Sequence, residues 1–384
     1  MASKDQSTSS EVHNRLQQLR KAIDAIDHDI VALLKERQEQ VEQVLQLKKA
    51  HGIPIYHPAR EENLISEKRQ VGRAVGLDAD YLEDIFRRIL RQSRVEQTAR
   101  LARRGIRPGA SVLIVGGRGA MGGYLATWFG KAGYRVRCLD YDDWPQAEAL
   151  CQNVDLALIS VPIDSTPDVA RRLGPNLPAD CILADVTSVK KAPLAAMLET
   201  HPGPVIGLHP LFGPTTTSLD KQVVVATPGR DRAACQWLVD QFSAWGAIVI
   251  ETRSDLHDDI MGVVQALRHF ATFVFGRFLY EQRIRLDEAL EFSSPIYRLE
   301  FGMVGRLFAQ DAALYSEIIF ASPERRALLK EYLKCAQSNL ELLTKEDKTA
   351  FEEHFRQIAE WFEPFSRQAL RESTYLIDKL SERF

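Results

Sequence analysis

The chain has 384 residues, 45% hydrophobic and 26% charged, with 49 basic against 52 acidic side chains and a formal charge of −3. That length suits two or three domains with ample cores, and the near balance of charge gives no electrostatic case for a nucleic-acid partner. The cysteines, Cys138, Cys151, Cys181, Cys235 and Cys335, show no metal-ligand spacing, so neither disulfides nor a bound metal is expected and the thiols read as core residues.

Residues 1–10 are polar, with no apolar leader core, and read as disordered. From Glu11 to about Lys49 there is no Gly or Pro. Leu16, Ile23, Ile30 and Val44 fall on one seven-residue series, with Leu19, Ile26, Leu33 and Leu47 between them. This pattern predicts one long helix, capped by Thr8 and Glu11 and stopped by Gly52 and Pro54. Helices over 58–75 and 78–104 complete an all-α module spanning 11–104. A rod of roughly 60 Å at about 1.5 Å per residue cannot be buried by its own domain, so a homodimer is expected. Arg37 occupies the apolar series itself, where a cation that cannot lose its proton needs an anion to meet. At about 100° per residue Arg37 and Lys48 lie within roughly 20° of each other, whereas Arg20 is about 100° away. A site using all three therefore takes Arg20 from an antiparallel partner helix.

Residues 105–110 form a linker. Over 111–254 short β-rich runs (SVLIVG, RVRCLD, DLALISV, CILADV, PVIGL, QVVVAT, AIVIET) alternate with helical ones, predicting a Rossmann-type, doubly wound, mostly parallel sheet. In GRGAMG, Gly117 would make the tight turn, Gly119 would admit a pyrophosphate, and Gly122 would let the helix opening near Met121 pack on its strand. Asp140 ends the next strand, where it would accept from ribose hydroxyls and favour NAD over NADP. Ser160 and Pro162 should form the second wall of the cofactor cleft. Ser188, Lys190 and His209 follow later strands and converge on the same carboxyl edge; His209, titrating near neutrality, is the expected base for a carbinol proton.

From 255 to 384 the chain is helical, with periodicity in 258–280, 284–292, 298–308, 311–320, 324–344 and 348–380. The longest apolar stretch, Ile260 to Tyr280, is interrupted by Gln265, Arg268, His269 and Arg277, so no membrane span is expected and a cytoplasmic protein is. The fold class is multi-domain: all-α, then α/β, then an all-α domain expected to bind substrate and dimerise.

GGRGAMG, SVPI, SVK, GLHPLFGP, QALRHFATF and SSPIYRLEFGMVGRLFAQD, in that order, resemble prephenate dehydrogenase. With LRKAID, ALLKER and LKKAHGIPIYHPAREE before them, the chain is similar from residue 11 to its end to the bifunctional chorismate mutase/prephenate dehydrogenases of bacterial tyrosine biosynthesis. The resemblance implies rearrangement of chorismate to prephenate in the first module. NAD-dependent oxidative decarboxylation of prephenate to 4-hydroxyphenylpyruvate would follow in the rest, with tyrosine as inhibitor. It implies that His209 draws off the ring hydroxyl proton and Arg306 holds a prephenate carboxylate. Lys190 and Ser188 would contact substrate or orient His209, with Gln265, His269 and Arg298 as further candidates. In the mutase, Arg20 and Arg37 would bind carboxylates, Lys48 and Gln97 face the ether oxygen, Glu61 meet the ring hydroxyl, and Arg60 and Ser93 position the substrate. His57 departs from the acidic residue of some related mutases. Arogenate as substrate, NADP as cofactor, and a first module serving only dimerisation and tyrosine sensing remain open alternatives. A 3-hydroxyacid dehydrogenase would leave residues 11–97 without a role.

Overall fold

An uninterrupted run without Gly or Pro gives α1 (Ala2–Ala50), which begins earlier than the periodicity suggests. Thr8 and Glu11 therefore lie inside the helix rather than at its cap, and residues 2–10, expected to be disordered, are helical. The structure, a computed structural model, describes residues 2–50, 57–101 and 105–381, and the side chains of 13–48, 57, 59–97 and 105–380; the Gly52 and Pro54 stop lies outside them. α2 (Pro58–Ala74) starts on a proline, whose missing N–H costs nothing in a first turn, behind His57, whose Nδ1 accepts from the Arg60 N–H at 3.3 Å. α2 packs on α3 (Ala79–Leu101). Along α1 the apolar series stands open: Leu16, Leu19, Ile23, Ile26, Ile30 and Leu33 are all exposed.

The linker is pinned rather than loose. Gly105 N–H donates to the Ala132 carbonyl (2.6 Å), Ile106 N–H to Gln241 Oε1 (2.8 Å) and Arg107 N–H to the Tyr134 hydroxyl (3.2 Å). The sheet then takes all seven runs: β1 (Ser111–Val115), β2 (Arg135–Leu139), β3 (Leu156–Ile159), β4 (Ile182–Asp185), β5 (Val205–Pro210), β6 (Val223–Arg230) and β7 (Ile248–Glu251), in the order β2-β1-β3-β4-β5-β6-β7. Only β5 and β6 pair antiparallel. Their connection carries no helix, and without a crossover the chain returns alongside itself. The sheet is flanked by α4 (Ala120–Lys131), α5 (Ala147–Cys151), α6 (Thr166–Leu173), α7 (Lys191–Thr200) and α8 (Arg232–Ala244). Alternation along β1 splits the core in two: Val112 and Ile114 pack with Leu125, Phe129 and Trp245, and Leu113 and Val115 with Cys151, Ala170 and Leu173. Of the thiols, Cys151, Cys181 and Cys235 are buried as expected, but Cys138 and Cys335 are exposed.

The C-terminal domain comprises α9 (Ser254–Met261), a π-helical segment Gly262–Leu267, α10 (Arg268–Glu281), α11 (Leu286–Glu291), α12 (Pro295–Phe308), α13 (Ala312–Phe320), α14 (Pro323–Thr344), α15 (Lys348–Trp361) and α16 (Phe365–Ser381). The stretch expected as one helix over 348–380 breaks before Pro364, which has no N–H to continue the ladder. Lys379 on α16 pairs with Asp84 on α3 at 2.5 Å, tying this domain to the first module. Among the described residues no helix is long and apolar enough to cross a membrane.

Candidate active sites

The glycine turn lies between β1 and β3, where strand order reverses and a doubly wound sheet opens a crevice. The left-handed residue is Gly116 (φ +84°), one position before the glycine expected to make the turn; a Cβ there would sit 2.2 Å from the Ser160 carbonyl oxygen. Gly117 instead packs on β2, its would-be Cβ 2.4 Å from Cys138 Sγ. At Gly122 a Cβ would meet Gly116 O at 2.1 Å, so α4 and the turn touch backbone to backbone, as expected. Gly119 is the exposed N-cap of α4 and offers no side chain to its first-turn N–H groups, which leaves them for an anion. Met121 follows, half-buried. Asp140, at the end of β2, accepts from the Arg118 N–H at 3.2 Å, and the Arg118 side chain is engaged by Asp143 at 3.2 Å. The arginine nearest the place of a 2′-phosphate is thus turned to carboxylates. Ser160 is half-buried, donating its N–H to Val115 O (2.8 Å), and Pro162 is exposed. These residues fit a dinucleotide.

Further along the carboxyl edge, β5 presents His209, only 2% exposed. Its Nδ1 lies 2.9 Å from His257 Nε2, and His257 Nδ1 lies 2.8 Å from Asp258 Oδ1. Asp258 also accepts from the backbone N–H groups of Lys190 (2.8 Å) and Lys191 (2.9 Å). Burial opposes its charge, but those donors outweigh it and hold its carboxyl below the usual range. An ionised carboxylate only accepts, so His257 carries its proton on Nδ1 and offers Nε2 to His209 Nδ1–H. His209 is left with a lone pair on Nε2. Gln265, on the π-helical segment, donates Nε2–H to that atom at 3.2 Å, while its buried Oε1 has no hydrogen-bond partner among the described residues. Burial, then Lys190, His257 and Arg325, hold the His209 imidazole well below its ordinary value, so it is a neutral base.

Lys190 stands behind this chain rather than in it. Its fully buried ammonium binds Asp185 and the Leu208 carbonyl (2.7 Å), fixing the backbone just before His209; burial lowers its pKa against the pull of Asp185. Ser188 gives its carbonyl to Arg325 Nη2 (3.3 Å), whose Nη1 reaches the Ile318 carbonyl (2.6 Å). His269 meets the Tyr315 ring edge-on at 4.7 Å. Arg298 Nε donates to the Leu290 carbonyl (3.2 Å), and Arg306 is exposed on α12. The structure therefore gathers Gln265 and His209, adds His257, Asp258 and Arg325, and leaves Arg306, the expected carboxylate binder, apart from them on α12 with Arg298. The one sequence sign of the relay is the His257-Asp258 pair just after the last strand, which periodicity does not distinguish from a solvated helix start.

Replacing Asp258 with Asn should lower turnover at this site about a hundredfold, because an amide N–H facing His257 reverses both tautomers and protonates His209 Nε2. Steady-state turnover at this site tests this, and wild-type rates in the variant would dismiss the relay.

Between α1, α2 and α3 lies a cavity of about 900 Å³ lined by Arg37, Lys48, Arg60, Glu61, Ser93 and Gln97, with His57 and Arg94 beside them and Val41, Val44 and Leu90 as apolar wall. Arg37 Nη1 donates to Ser93 Oγ at 2.9 Å. Burial lowers the pKa of Arg37; it also lowers that of Lys48, helped by Arg60 and opposed by Glu61. Half-desolvated cations around an open space suit an anionic guest. Glu61 accepts from Arg94 Nη1 at 2.7 and 2.6 Å. Arg20 is exposed on α1, about 25 Å from Arg37 at roughly 1.5 Å per residue, and does not line the cavity.

Known proteins resemble each part. Residues 19–98 match the family model of type II chorismate mutase, 133–251 the nucleotide-binding domain of prephenate dehydrogenase, and 253–357 the dimerization domain of prephenate dehydrogenase. The T-protein of Enterobacter agglomerans is 44% identical over 359 residues, 94% of this chain and 96% of the relative. That of Haemophilus influenzae is 40% identical over 367 residues, covering 96% and 97%. In architecture the chain is similar to prephenate dehydrogenase from A. aeolicus, solved with hydroxyphenyl propionate and NAD+ (TM-score 0.53, 20% identity, 69% of this chain and 99% of that one).

Proposed function

The chain belongs to the T-protein family, the bifunctional chorismate mutase/prephenate dehydrogenases of tyrosine biosynthesis, and from that premise we propose how its own residues carry the two reactions. One observation carries the proposal: a single chain holds both a cation-lined cavity and a neutral imidazole tethered to a carboxylate.

Chorismate is a dicarboxylate whose rearrangement needs no acid, base or metal, only a compact conformer and stabilisation of the polarised ether oxygen. Arg37 binds one carboxylate, Lys48 and Gln97 donate to the ether oxygen, Glu61 accepts from the ring hydroxyl, and Arg60 and Ser93 hold the guest in place. The second carboxylate goes to Arg20 of a partner chain. The exposed apolar faces of α1 and, in the C-terminal domain, Phe273, Phe278 and Phe308 support a homodimer, since a monomer would leave them in water.

In the dehydrogenase, the Gly116–Gly122 turn, the N-terminus of α4 and Asp140 would hold NAD, which would supply the hydride acceptor. Gln265 yields His209 Nε2 to the ring hydroxyl of prephenate, and His209 takes the proton as the carbinol becomes a carbonyl and the ring carboxylate leaves as CO2. The imidazolium that forms is balanced through His257 by Asp258. Arg306, Arg298 and His269 would serve substrate recognition once the helical domain is paired. Tyrosine carries the 4-hydroxyphenyl ring of the product, so we place its inhibition at this same site; a tyrosine-dependent rise in KM for prephenate is the expected sign.

NADH formation from chorismate and NAD, with no other enzyme present, tests both halves at once. Signal from prephenate but none from chorismate would reduce the first module to a scaffold.

A further inference from the structure

Arg94, on α3, is 8% exposed at its side chain, and it is held by carboxylates of two domains. Nη1 holds Glu61 on α2, while Nε holds Asp220 at 2.9 and 3.2 Å. Asp220 belongs to the β5–β6 connection, the segment that leaves the strand bearing His209, and its own side chain is 7% exposed. Lys221, next in the chain, lies 4.0 Å from Glu61. Exposed ion pairs contribute little to stability, but this one is nearly dry, and a guanidinium cannot discharge itself if a partner is lost. Its fork is planar and rigid, so the edge bound to Asp220 decides where Nη1 points. What Nη1 holds is a carboxylate in the wall of the mutase cavity.

We propose that Asp220, a residue of the dinucleotide domain, is a positioning residue for the mutase site, acting through Arg94 to fix Glu61. This rests on Glu61 meeting the ring hydroxyl of chorismate. An interface contact that merely joined domains would have no reason to end on a cavity carboxylate; here both Arg94 and Glu61 line the cavity, and Asp220 is the only member of the trio that comes from the other catalytic domain.

The test uses the full chain, with mutase turnover followed by chorismate loss and dehydrogenase turnover followed on supplied prephenate. Asp220→Asn keeps the shape and removes the charge. It should lower mutase kcat about tenfold, with a smaller change in KM, as expected for coupling within one ion-pair network. Dehydrogenase rates should stay within about twofold, which also reports that the variant is folded. Asp220→Glu should restore most of the mutase rate, and Arg94→Lys, which lacks the fork, should behave like Asp220→Asn. Because the effect passes through Glu61, Asp220→Asn should add nothing to Glu61→Gln. Wild-type mutase turnover in Asp220→Asn beside a crippled Glu61→Gln would overturn the coupling, as would additive losses in the double variant. Full turnover in Glu61→Gln would instead overturn the placing of Glu61 at the substrate, and the coupling with it.

Discussion

His209→Asn should lower prephenate dehydrogenase turnover about ten-thousandfold, the upper range for removing a positioned general base, and leave chorismate mutase turnover at the wild-type level. Asparagine can take the Nδ1–H bond to His257 but has no basic nitrogen to place where Nε2 stood, so binding survives better than chemistry. The pH profile supplies a second sign. Burial first, then the charges of Lys190 and Arg325 and the neighbouring His257, hold the imidazole well below 6.5 in the folded protein. A base works unprotonated, so kcat/KM should remain flat as pH falls through 6.5 and decline only below it. Stability follows the same sign: the unfolded chain takes up a proton at this residue near its ordinary value and the folded one refuses it, so folding weakens as pH drops below about 6.5. A wild-type rate in His209→Asn, or an acid limb at or above 6.5, would refute the assignment.

Arg37→Ala should cost about a thousandfold in mutase turnover, equivalent to about 4 kcal/mol, with the dimer and the dehydrogenase unaffected. The side chain meets a neutral hydroxyl, Ser93 Oγ, in a half-buried setting that lowers its pKa, so its charge is answered by what enters the cavity. Truncation leaves a substrate carboxylate desolvated and unpaired. If the partner supplies Arg20, mixing Arg20→Ala with Arg37→Ala chains should restore turnover: one site of the mixed dimer carries both lesions and the other carries neither. Failure to complement would put both arginines in one chain's site, against about 25 Å of helix.

The edge strands β2 and β7 are only partly buried and show as β-rich runs between turns; the inner strands were readable because a sheet covered on both faces writes them as short apolar runs between turn signals, as in Val112–Val115 and Leu156–Ile159. The reversed direction of β6 was not, since direction depends on the helix-free connection and leaves no mark on the strand's composition. Likewise the spacing GxGxxG, visible in sequence, points to Gly117 for the turn rather than Gly116, because the sign of φ leaves no mark there. Of the cavity residues, Arg37 and Lys48 came through because Arg37 interrupts an apolar series and Lys48 shares its face, whereas Arg60, Glu61, Ser93 and Gln97 follow only from the family resemblance. Arg94 did not come through: both its carboxylates lie far along the chain, Asp220 in a loop with no period to break. His257 was hidden in the same way. Its role depends on β5 and α9 meeting, and a histidine beside an aspartate at a helix start has many ordinary explanations.

The open seam of α1 gives the mutase half an unusual thermodynamics. A helix of 49 residues that packs only part of its length on α3 has paid its ordering entropy without recovering the matching apolar burial, and in the homodimer proposed above a second chain would supply the remainder. Its free energy of unfolding therefore contains a mass-action contribution that rises with the logarithm of protein concentration. A melting temperature for this half is a property of the solution as much as of the sequence, and dilution acts on it as a denaturant would.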